Sequence, residues 1–167
     1  MSSCNVIGFF PLISGTRVTS KKIDTTVYHQ HYHMTINCQN SFHIPALVCV
    51  YSPPGDINPS LDITIAFILA KAIFPLNKPA MLDAIQLSIT PGDPKSNFYE
   101  DNIPNVPYPY IYDVGHVSGS YYSLGDARPG KTIDSCAFPV ALSEYVQNNV
   151  QGFSIEYVNT ILFFCIY

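Results

Sequence analysis

Three histidines alternate along one segment near the start of the chain. His29, His31 and His33 are separated by single residues, so a β-strand would point all three imidazoles to the same face. Two imidazoles at that spacing can bind one zinc or iron ion from a strand. The pattern therefore predicts one of three things: a metal site at these histidines, a pH-sensitive surface, or three solvated side chains.

Tyrosine is the second residue type whose pattern points to chemistry. The chain has twelve tyrosines, and aromatic rings on a β-sheet face can stack on nucleobases or sugar rings. The alternative is that the tyrosines cap a core or line a protein interface. The candidate ligand-binding residues are Tyr110, Tyr112, His116, Tyr121, Tyr122, Arg128 and Lys131.

Catalytic signatures are weak. There is no Gly-x-Ser-x-Gly elbow, the acidic residues are scattered, and no glycine-rich phosphate loop precedes a helix. Cys136 beside Asp134 would be a nucleophile only with an adjacent histidine. We therefore expect a protein that is not an enzyme and has no cofactor, with a metal-dependent oxygenase at the three histidines as the enzymatic alternative.

The segments that carry the candidate histidines and tyrosines have the sequence pattern of β-strands. Thr25 to Cys38 alternates, and the face carrying Tyr32, Met34 and Ile36 is the better core face. Tyr110 to Tyr122 is a long strand that Gly115 and Gly119 interrupt, and glycines inside a strand mark a bulge, a bend or a close approach. The pattern predicts an all-β fold.

Proline, asparagine and aspartate become frequent after residue 94, where the periodicity is lost. This change predicts an N-terminal β module at 1–94, a connecting loop at 95–109 and a C-terminal β module at 110–167. The alternative is one domain shared by both halves. Four aromatic residues between 98 and 110 indicate that the connecting loop packs onto something.

The last third resembles the opening of an OB-fold. Val114 to Gly119 supplies a glycine-kinked strand. Residues 138–146 supply the end of the returning strand, Thr132 to Leu142, and the short acidic and aromatic segment after it. Together with Ile65 to Ala72 and the turn Pro91 to Pro94, this stretch also resembles a group of small, uncharacterised fungal proteins. The resemblance implies an OB-fold-like antiparallel barrel or barrel-like sheets, or else two small β modules, and it implies no established function.

Composition narrows the class of protein. Only 12% of the 167 residues are charged and 47% are hydrophobic, which argues against disorder and against a coiled coil. Eight Lys and Arg residues with a net charge of −4 argue against binding driven by phosphate charge. Five cysteines without CxxC spacing and the absence of a leader or a long apolar run favour an intracellular protein, in the cytoplasm or nucleus, that does not contact a membrane.

These patterns together favour a β-barrel binding module. The first candidate ligand of this module is single-stranded nucleic acid, which the tyrosines would bind by stacking on its bases. The alternatives are a sugar-binding, lectin-like module and a self-assembling protein, because low charge and an apolar C-terminus favour a homo-oligomer.

Overall fold

Alternating apolar, β-branched and aromatic residues produce strands along most of this chain. The computed structural model describes residues 2–22, 25–38, 43–53, 63–106, 108–120, 122–123, 135–146 and 149–160. Within these ranges there is no α-helix. The predicted all-β fold is therefore confirmed. The strands are β1 (Ser3–Pro11), β2 (Ile13–Lys22), β3 (Thr25–Asn37), β4 (His43–Ser52), β5 (Ile65–Ile73), β6 (Ala80–Ile89), β7 (Tyr110–Val114), β8 (His116–Val117), β9 (Tyr122–Ser123), β10 (Ser135–Val146) and β11 (Asn149–Thr160).

The described strands form two sheets. The large sheet has seven strands in the order β2-β3-β4-β6-β5-β1-β7, and the small sheet has the order β11-β10-β8 with β9 also paired to β10. Among the described pairs, β4 and β6 run parallel and the others antiparallel. The sheets are thus predominantly antiparallel, as the sequence predicts.

The core lies between the two sheets. Every second residue on the central strands of the large sheet is buried, because successive side chains of a strand point to opposite faces. On β3 the buried residues include Tyr32, Met34 and Ile36, so the predicted core face is confirmed. Val140 and Leu142 of β10 complete the same apolar cluster from the small sheet. The other buried members are Cys4, Val6, Phe10, Leu12, Ala46, Val48, Ala66, Ile68, Ala70, Ala72, Ala80 and Leu82.

The chain passes from the large sheet to the small one at Gly115. β7 pairs with β1 of the large sheet, and β8, which begins one residue after Gly115, pairs with β10 of the small sheet. A β-carbon on Gly115 would lie 2.5 Å from Val140 Cγ1 and 2.7 Å from Leu142 Cδ2. The glycine is required here because the backbone lies directly against the core of β10. One continuous segment therefore serves both sheets, while the proposed module boundaries stay a prediction.

The stretch between β6 and β7 packs onto the large sheet through Tyr99. Its ring is buried, and its hydroxyl donates to the carbonyl of Thr90 at 3.1 Å and accepts from the amide of Ile65 at 3.2 Å. Phe98, the preceding residue, is largely exposed. One of the aromatic residues in this stretch thus anchors it to the ends of β5 and β6.

Two local patterns predict a turn and a loop that the structure does not contain. Ser14 and Gly15, residue types that predict a turn, lie within β2, where the register with β3 shifts between Ile13 and Thr16 and Ser14 has a φ of 57°. The extra residues are accommodated as a bulge. Gln147 to Gly152, whose polar residues and glycine predict a loop, overlaps the start of β11 at Asn149. The apolar run from Ile161 to Tyr167 predicts a last strand, and it lies outside the described residues.

Candidate ligand-binding face

The residues between the buried ones point to the opposite face of the large sheet, here called the outer face. Because directly paired residues share a face, the register places one polar residue from each strand side by side across this face. We call this set the polar row. From β2 to β7 it consists of Thr16, His31, Cys49, Asp83, Lys71, Asn5 and Tyr112.

The thiol of Cys49 is the centre of a cluster on the outer face. Its Sγ atom lies 3.4 Å from Nδ1 of His29, the diagonal neighbour on β3. Burial, the charge of Asp83 and a hydrogen bond to its carboxylate raise the pKa of the Cys49 thiol to about 12. The residue types are those of a cysteine, histidine and aspartate triad, but a thiol with this pKa is not a nucleophile at neutral pH. We call Cys49, His29, His31 and Asp83 the thiol cluster.

The three alternating histidines have different surroundings. His31 lies between Thr16 and Cys49, and burial followed by the neighbouring His29 lowers its pKa, against an opposing effect of Asp83. His33 is exposed and lies between Ile13 and Leu47, which offer no donor atoms from their side chains. As the side chains stand in the described residues, no three His, Cys, Asp or Glu groups are arranged to hold a metal ion. Metal binding by His29, His31 and His33 together stays a prediction.

Two of the predicted tyrosines project from the edge strand β7. Tyr110 is 69% exposed and Tyr112 is 51% exposed, and they are paired with Ile7 and Asn5 on the outer face. At this spacing their positions are about 6.7 Å apart along the strand. On β1 and β5 the same face carries Phe9 and Phe67, whose ring centroids are 5.2 Å apart. We call Tyr110, Tyr112, Phe9 and Phe67 the aromatic platform.

The structure does not bring all the predicted ligand-binding residues together. His116 is exposed but lies on β8 opposite Ala141, so it belongs to the small sheet, whereas Tyr112 belongs to the large one. The turn of the chain at Gly115 separates these two side chains, although their even spacing would place them on one face of an uninterrupted strand. Tyr121, Arg128, Lys131 and the side chain of Tyr122 lie outside the described residues.

A cleft of about 700 Å³ lies where the two sheets meet. Glu144 on β10 reaches into this junction and is only 6% exposed. Its carboxylate accepts from the amide of Cys4 and from the ammonium of Lys71, both at 3.3 Å. The cleft is lined by Ser2, Gly115, His116, Ala141, Leu142, Ser143, Glu144 and Val150. Because Glu144 bonds to β1 and β5, it acts as a tie between the sheets.

The raised pKa of Cys49 predicts low reactivity. At pH 8 a thiol with a pKa of about 12 has a thiolate fraction about a thousandfold smaller than an ordinary cysteine. We expect iodoacetamide to modify Cys49 at least about a hundredfold more slowly in the folded protein than in urea. The folded-state rate should keep rising above pH 9, where that of the unfolded chain levels off. Peptide mapping by mass spectrometry measures both rates, and equal rates would contradict the assignment.

Comparison with known proteins identifies no family. No family model matches this chain, and no curated protein sequence matches it. The resemblance to small fungal proteins therefore gains no support from a matching family or relative. Among solved structures, the chain is similar to a deletion mutant of the single-stranded DNA binding protein from Thermus aquaticus, with a TM-score of 0.44, 6% identity and coverage of 95% of this chain and 76% of that one.

The described part of the chain contains no helix that is long and apolar enough to cross a membrane.

Proposed function

We propose that this protein is a non-enzymatic binding module that holds single-stranded nucleic acid on its aromatic platform. The observation that carries the proposal is the exposure of Tyr110 and Tyr112 on one face of an edge strand. Two accessible rings on successive outward positions of a strand offer stacking surfaces to successive bases. Every base has a π face, so the proposed binding tolerates different sequences.

The charges near the aromatic platform determine how the affinity of the proposed binding depends on salt concentration. Lys71 is two strands from Tyr112 in the polar row, and its ammonium is already paired with Glu144. The net charge of the whole chain is −4. Few phosphates can therefore be neutralised, and we expect affinity to depend only weakly on salt. A weak salt dependence distinguishes stacking on the aromatic platform from the charge-driven binding of basic proteins.

Alanine substitution of the two tyrosines tests the proposal. Tyr110→Ala and Tyr112→Ala should each weaken binding of labelled oligothymidine by about 5- to 150-fold, because stacking contributes about 1–3 kcal/mol per base. Both rings are exposed, so the thermal unfolding temperature should change little. Fluorescence anisotropy at low and physiological salt measures affinity and its salt dependence.

Tyr51 provides the matched control. It is 62% exposed on the same face, but β4 is four strands from β7, a distance of about 19 Å. Tyr51→Ala should leave oligothymidine binding unchanged. Equal losses in all three variants, or no binding by the unmodified protein at low salt, would overturn the proposal.

A sugar-binding module is the second candidate. It is favoured by the neutral amide of Asn5 directly beside Tyr112 and by the pairing of Lys71, which leaves the surroundings of the platform better suited to hydroxyl groups than to phosphates. Tyrosine rings stack on sugars as well as on bases. In this case oligothymidine does not bind, and a glycan array shows hits that Tyr110→Ala and Tyr112→Ala remove.

A further inference from the structure

The thiol cluster is separate from the aromatic platform and has a different chemistry. It combines a thiol from β4, two imidazoles from β3 and a carboxylate from β6, all on the outer face. Thiolate, imidazole and carboxylate are the three protein ligand types that zinc binds. The geometry points to a zinc-binding site formed by Cys49 and His29, with Asp83 or His31 as the third ligand.

The spacing of the first two donors fits such an ion. Zinc lies about 2.3 Å from sulfur and about 2.0–2.1 Å from nitrogen, so two such ligands in a tetrahedral site are about 3.5 Å apart. Cys49 Sγ and His29 Nδ1 are 3.4 Å apart. These two side chains therefore have the separation of zinc ligands without any movement of the backbone.

The third ligand comes from residues next to Cys49 in the polar row. Asp83 is paired with Cys49 on one side and already hydrogen-bonds to the thiol, and His31 is paired with Cys49 on the other side. No three His, Cys, Asp or Glu groups surround one point as the described side chains stand, so the proposed site requires rotation of the Asp83 or His31 side chain. Neighbouring strands lie about 4.7–4.9 Å apart, which is within reach of either side chain.

Binding exchanges a proton for the ion. The bond between Sγ of Cys49 and its proton breaks, a bond between Sγ and zinc forms, and the proton passes to the solvent. The positive charge of the ion stabilises the thiolate that is formed. The carboxylate of Asp83, paired with Cys49 on the neighbouring strand, places a negative charge beside the ion.

Cobalt and zinc titrations of the chelator-treated full chain test this site. Co²⁺ is expected to bind one to one and to produce the charge-transfer absorption of a cobalt–thiolate bond. Zn²⁺ should displace it and raise the thermal unfolding temperature. Cys49→Ser should abolish the absorption band. His29→Ala should weaken Co²⁺ affinity at least about tenfold.

His33→Ala is the matched control, because His33 lies on the same strand and face but away from Cys49. It should leave the absorption band and the affinity unchanged. If the band persists in Cys49→Ser, another thiol is responsible, and the site is wrong. If His33→Ala weakens binding as much as His29→Ala does, the metal is held by the exposed histidines alone, which also overturns it. Circular dichroism of the metal-free variants excludes unfolding as the cause of a loss.

Discussion

Replacement of Gly115 by alanine is expected to destabilise the protein by about 1–3 kcal/mol, and valine should destabilise it more. The added β-carbon would lie 2.5 Å from Val140 Cγ1, 2.7 Å from Leu142 Cδ2 and 2.8 Å from the carbonyl oxygen of Ala141. Val140 and Leu142 belong to the buried cluster between the sheets, so they cannot move away without disturbing the core. Urea denaturation of both variants measures the loss.

Gly152 is the matched control for this prediction. It lies on β11 of the same sheet, is exposed, and a β-carbon there would meet only the carbonyl oxygen of Leu142, at an ordinary 3.7 Å. Gly152→Ala should be neutral or slightly stabilising, because alanine reduces the entropy of the unfolded chain. If Gly115→Ala unfolds at the same urea concentration as the unmodified protein, the close approach of the β7–β8 segment to β10 is wrong.

The sequence predicts the strands and their faces because this information is local. Alternation from Thr25 onward identifies which face of β3 is buried, and Tyr32, Met34 and Ile36 lie on it. The glycine at 115 likewise marks the place where backbone and core come close. Such features depend on the order of neighbouring residues along one strand, which the sequence states directly.

The neighbours across the sheet could not be predicted in the same way. Cys49 and Asp83 meet because β4 pairs in parallel with β6, which is not the next strand along the chain. A change in register by one residue would move Cys49 to the opposite face. The sequence shows three alternating histidines, whereas the cluster in the structure joins two of them to a thiol and a carboxylate that lie far away in sequence.

Gly115 also explains why one candidate site is divided. Tyr112 and His116 have an even spacing, which places them on one face of an ordinary strand. The structure pairs Tyr112 with Asn5 in the large sheet and His116 with Ala141 in the small sheet. The close packing of Gly115 on β10 is a tertiary contact, so the spacing alone could not show that the segment leaves one sheet for the other.

Removal of the Glu144 carboxylate is expected to loosen the junction of the two sheets. Glu144→Ala leaves the amide of Cys4 without this acceptor and Lys71 without this counter-charge. We expect a loss of about 1–3 kcal/mol, mainly from the unsatisfied amide. The ion pair contributes less, because the Lys71 side chain is 46% exposed and solvent screens its charge. Glu144→Gln keeps an acceptor for the amide of Cys4 and should lose less than Glu144→Ala.

A double-mutant cycle with Lys71 separates the ion pair from the amide bond. Lys71→Met leaves the buried carboxylate with the Cys4 amide but without the ammonium, and a buried carboxylate without its counter-charge is destabilising. The double variant of Lys71→Met and Glu144→Ala should therefore be more stable than the sum of the single losses by about 0.5 kcal/mol or more. Strictly additive losses in urea denaturation would mean that the contact between Lys71 and Glu144 contributes nothing to stability.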